Sequence, residues 1–120
     1  MPILEVEIVG PVPDQVRTGM ARRIADAAGE ALGASPGGTW VKLRYLAEDD
    51  YAESGGAPEG VRPVFVSVLL GSPPDGEARA EQIQRLTRAV AAACDRPAEN
   101  THVLYQPAAK GRISFGGGTK

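Results

Sequence analysis

Apolar residues fall into six segments along the chain, in the order strand, helix, strand, and then the same again. The first strand covers about residues 3 to 9 and is closed by Gly10-Pro11-Val12-Pro13. Asp14 can then cap a helix whose stripe Val16, Met20, Ile24, Ala28 and Leu32 repeats at helical spacing and stops at Gly33. A second strand, about 40 to 46, sets Trp40, Lys42, Arg44 and Leu46 against Val41, Leu43 and Tyr45, so that one face is basic and aromatic. The segment Glu53 to Arg62, rich in glycine, joins two halves. Beyond it lie a strand at 64 to 70 closed by Ser72-Pro73-Pro74, a helix at 77 to 94, a strand at 101 to 105 and a glycine-rich tail.

The two halves are copies of one pattern. Pro2-Ile3-Leu4-Glu5-Val6-Glu7-Ile8-Val9-Gly10 returns as Pro63-Val64-Phe65-Val66-Ser67-Val68-Leu69-Leu70-Gly71, displaced by 61 residues. Ala21, Ile24, Ala28 and Ala31 return as Ile83, Leu86, Val90 and Ala93, Pro36 as Pro97, and Gly55-Gly56 as Gly116-Gly117. The chain therefore reads as two tandem β-α-β units, one over about 2 to 60 and the other over about 61 to 120, forming a single domain. A right-handed β-α-β crossover places its helix on one face of the sheet. Two such units side by side put both helices on the same face of four strands and leave the other face bare. Strands as apolar as 64 to 70 call for a cover there, which a closed, symmetric oligomer of this chain supplies.

At 120 residues the chain suits one domain with a modest core. A formal charge of -2 argues against a nucleic-acid surface, and no apolar run approaches the about 18 residues that span a bilayer. No signal peptide precedes Pro2, so a cytoplasmic location is expected. The one cysteine, Cys94, lies on the stripe of the second helix, where packing is its expected role.

Position 2 carries the chemistry. A small residue there allows the initiator methionine to be removed, leaving Pro2 with a free secondary amine. An α-amino group titrates near about 7.7 to 8.0, and burial or a neighbouring cation lowers it toward neutrality, where a base works best.

Pro2, the duplicated β-α-β pattern and the closing Ala109-Lys110-Gly111-Arg112-Ile113-Ser114-Phe115-Gly116-Gly117-Gly118 together resemble the tautomerase superfamily, over the full chain. The second half is similar to the short 4-oxalocrotonate tautomerase subunit, and the fused length to macrophage migration inhibitory factor. The resemblance implies an α+β fold with a four-stranded mixed sheet, a homotrimer, no cofactor and a small keto or enol acid as substrate. It implies keto-enol tautomerisation with Pro2 as general base. A lyase or hydratase on the same scaffold, or a trimeric binding protein without catalysis, are the alternatives. Pro63, with no free amine, is expected only to start a strand.

Other site positions of the short tautomerases carry over unevenly. The arginine that follows the glycine after strand one is missing, since Gly10 precedes Pro11 and Gly71 precedes Ser72. The place of a second arginine, on the second strand, is taken by His102. An anionic substrate or enolate needs a cation, and Lys42 and Arg44, two apart on one face of a strand, come first. Arg112 is next, in the tail where the short enzymes contribute to a neighbouring site. Trp40 and Tyr105 are candidate pocket walls. Glu48-Asp49-Asp50 has no histidine or cysteine nearby to complete a metal site, and Cys94 with His102 makes no nucleophile pair.

Overall fold

The computed structural model describes residues 2 to 119, the last by its backbone only. Four strands form one sheet: β1 (Ile3–Val9), β2 (Trp40–Leu46), β3 (Val64–Leu69) and β4 (Thr101–Tyr105), in the order β2-β1-β3-β4. Each repeat pairs its own two strands in parallel, β1 with β2 and β3 with β4, as a crossover requires. The repeats meet where β1 runs antiparallel to β3, which makes the sheet mixed, as expected from the sequence.

The first helical segment is broken where one continuous helix was expected. A single turn, α1 (Asp14–Arg17), is followed by Gly19 at φ 70° and then by α2 (Met20–Ala31). Thr18 is extended and Gly19 left-handed, so the 3.6-residue stripe from Val16 to Leu32 is real but spans two pieces. Arg23 bridges the break, its guanidinium donating to the carbonyls of Val16 and Thr18. Asp14 makes no side-chain cap; Pro13 occupies that position instead. The second helix is unbroken, α3 (Gly76–Cys94). The tail, expected only to be glycine-rich, closes into a small hairpin of β5 (Ser114–Phe115) and β6 (Gly118–Thr119).

Both long helices cover the same face. Leu4, Val6 and Ile8 of β1 and Val64, Val66 and Val68 of β3 alternate inward and pack with Met20, Ile24 and Ala28 of α2 and Leu86, Val90 and Cys94 of α3. The alternate residues form a second face that no helix among the described residues covers. Trp40, Phe65 and Leu104 remain 49%, 37% and 64% exposed there. Among the described residues no helix is long and apolar enough to cross a membrane.

Candidate active site

Pro2 is buried and lines a cleft of about 550 Å³ on the helix side of the sheet. The topology explains why. Antiparallel pairing sets Ile3 opposite Leu69, so the start of β1 lies beside the end of β3 and the turn Leu70-Gly71-Ser72. Parallel pairing sets Ile3 beside Trp40, whose backbone N–H donates to the Pro2 carbonyl at 3.0 Å, and so brings in the loop that leads into β2. The two loops, with Gln82 of α3, line the cleft. The expected loss of Met1 lies outside the described residues.

The equivalent end of the other repeat is built differently. Position 96, displaced by 61 from Ser35, is an arginine. Arg96 donates from Nη1 to the carbonyls of Val9 and Arg62, both at 2.9 Å, and from Nη2 to that of Pro11 at 3.2 Å. Its burial lowers its pKa from the ordinary arginine value. Where Arg96 ties the backbone together, the short side chain of Ser35 leaves space.

The sequence candidates divide between the two faces. Lys42, Arg44 and His102 lie together on the bare face, around a depression of about 320 Å³ shared with Glu5, Glu7 and Phe65. Glu5 pairs with both cations, at 3.5 Å to Lys42 and 3.4 Å to Arg44. The His102 ring lies 5.6 Å from that of Phe65. Arg112 lines an adjoining hollow with Glu5 and Lys42, and donates to the Ala108 carbonyl at 3.2 Å. Trp40 meets Phe115 edge-on at 5.6 Å. Within one protomer the sheet stands between all of these and Pro2.

Tyr105 is the candidate that shares the helix side. Its hydroxyl donates to Oε1 of Gln82, and burial pushes its pKa above the ordinary tyrosine value. Arg79 lies 5.3 Å from the same ring, tied by Nε to the Pro74 carbonyl at 2.8 Å. Gln82 is not among the residues that the sequence singles out, and its one signal there is a polar side chain four positions before Leu86, in line with the apolar stripe.

Cys94 is buried and its thiol is pushed up to about 11, chiefly by loss of hydration. Glu48 to Asp50 forms a short 3-10 turn, with Glu48 paired to Arg62 at 3.3 Å. Among the described residues no three metal-ligating side chains converge.

No family model matches the sequence, and no curated protein matches it. Solved structures match it closely in shape. A fused 4-OT, wild type and a symmetric trimer, superposes with a TM-score of 0.78 at 22% identity, covering 97% of this chain and 93% of the other. FG41 malonate semialdehyde decarboxylase inhibited by 3-bromopropiolate gives 0.71 at 16% identity, over 94% of this chain and 88% of its own. A macrophage migration inhibitory factor-like protein from Entamoeba histolytica gives 0.68 at 10% identity, over 99% and 98%. The chain has the tautomerase-superfamily fold.

Proposed function

We propose that this chain is a cofactor-independent isomerase of small carbonyl compounds, with the Pro2 amine as its base. The observation that carries the reading is the position of Pro2, buried in the lining of the cleft that the two repeats form where β1 begins. With the methionine removed, the amine nitrogen takes a proton from the carbon beside a carbonyl. The C–H electron pair becomes the enolate double bond, and the ammonium so formed returns the proton at another carbon or at oxygen. Burial disfavours the ammonium and so keeps the amine available. The keto and enol acids suggested by the sequence are the first substrates to try.

A homotrimer belongs to the same proposal. It would cover the exposed Trp40, Phe65 and Leu104, and the fused 4-OT of the same fold is a trimer. The likeness to a decarboxylase supports a second reading, a lyase in which protonated Pro2 acts as acid.

Intact mass together with turnover of phenylenolpyruvate, 2-hydroxymuconate and their methyl esters tests the proposal. The expected result is a chain beginning at Pro2 that isomerises one of them, with Pro2→Ala slower by about 10² or more. A chain that keeps Met1 and is fully active, or a Pro2→Ala variant at the native rate, overturns it. An amine that titrates well above neutral would favour the lyase.

A further inference from the structure

Apart from the Pro2 amine, which is neutral when it acts as base, the cleft carries no charge: among the described residues lining it, Ser35, Ser72 and Gln82 supply the polar side chains and no side chain is ionisable. Lys42 and Arg44 share Glu5 on the far face of the sheet, and Arg96 is bound to three carbonyls at the opposite end of the strands. Arg79 and Lys110 line a neighbouring hollow with Tyr105, where Arg79 holds the Pro74 carbonyl, and neither lines the cleft itself. A carboxylate entering this cleft would lose water without gaining a counter-charge, whereas an uncharged carbonyl compound gives up far less hydration.

One neutral donor is set for the carbonyl. Because the Tyr105 hydroxyl donates to Oε1 of Gln82, the amide oxygen is turned to Tyr105 and the Nε2 hydrogens are left free to donate. Burial keeps the Tyr105 hydroxyl protonated at neutral pH, so it stays a donor and holds the amide in this orientation.

Building on the Pro2 reading, we propose that the cleft takes an uncharged carbonyl compound and that Gln82, positioned by Tyr105, donates the hydrogen bond to its oxygen as the enolate forms. The proton leaves the α-carbon for the Pro2 nitrogen, its electron pair forms the carbon–carbon double bond, and the carbonyl π pair moves to the oxygen facing Nε2. That bond strengthens as charge develops there, so it acts on the transition state more than on the bound substrate.

A matched pair of electrophiles tests this: 2-oxo-3-pentynoate and its methyl ester, which differ only in the charge. The Pro2 amine adds to the alkyne, a proton passes to the neighbouring carbon, and mass spectrometry follows the adduct. Each rate is divided by that of prolinamide with the same reagent, which removes the difference in intrinsic reactivity. The ester is expected to gain at least about tenfold more acceleration than the acid, Gln82→Leu to lose about tenfold or more of it, and Tyr105→Phe to lose a smaller part. Tyr105→Phe keeps the ring, and decides the matter should Gln82→Leu fail to fold. An acid accelerated more than the ester overturns the uncharged cleft, and native rates in both variants overturn the role of Gln82. A chain labelled no faster than prolinamide by either reagent removes the Pro2 reading itself, and this inference with it.

Discussion

Pro2 and Lys42 lie on opposite sides of the same sheet, although the residue that pairs with Lys42 is Glu5, only three positions along the chain from Pro2. Strand alternation accounts for this: Leu4, Val6 and Ile8 go to the helix side with Pro2, and Glu5 and Glu7 go to the bare side with Lys42 and Arg44.

The first prediction concerns those cations. Exposed ion pairs of this kind contribute on the order of 0.2 to 1 kcal/mol to stability. Lys42→Ala and Arg44→Ala should therefore fold normally and, with the site built inside one protomer, keep turnover within about threefold of native. A loss of 10² or more in kcat would show that another copy presents them to Pro2.

A charge placed on the bare face tests assembly. Leu104→Asp sets a carboxylate on that surface beside the depression that Phe65 and His102 also line, and burying it against a second copy would cost several kcal/mol. Light scattering is expected to find a trimer for the native chain and a monomer for the variant. A native chain that stays monomeric at micromolar concentration would mean that the exposed face has no cover.

Arg96 and Ser35 make a reciprocal pair of experiments, since they hold equivalent places in the two repeats. Arg96→Ala removes three hydrogen bonds from a charged donor to backbone carbonyls, and chemical unfolding should register a loss of about 2 kcal/mol. Ser35→Arg should instead leave the fold intact and fill the Pro2 cleft, lowering turnover by tenfold or more. Unchanged turnover in Ser35→Arg would place the chemistry elsewhere.

The thiol of Cys94 links stability to pH. Its folded pKa of about 11 lies above the unfolded value of about 8.5, so the folded chain holds the proton more tightly. The resulting stabilisation is complete below about pH 8.5 and is lost as the pH rises toward 11. Denaturant unfolding of the native chain and of Cys94→Ala should therefore show a gap that narrows across this window. Parallel pH curves would contradict the burial assigned to the thiol.

Much of the fold was legible in one dimension. Strands 3 to 9, 40 to 46 and 101 to 105 match β1, β2 and β4 in extent, because alternation and helical stripes are local properties that each segment carries by itself. The repeat added the topology, since two copies of a crossover unit can share only a few arrangements. Gly19 was read through because an unbroken stripe hides a single left-handed residue inside it. The second half of the tail, short and glycine-rich, has no period from which a hairpin can be read.

The candidate site divides in the same way. Pro2 was found because its chemistry is a matter of position in the chain, and Lys42, Arg44 and His102 because charge and ring type are written in the letters. What surrounds Pro2 was decided in three dimensions. Only the antiparallel meeting of β1 with β3 brings Leu70-Gly71-Ser72 and Gln82 to a residue some seventy positions earlier in the sequence. Sequence alone fixes which face of its strand a residue takes relative to its neighbours; it takes the packed helices to say which face is inside, and that sends the basic residues of β2 away from the amine they were expected to serve.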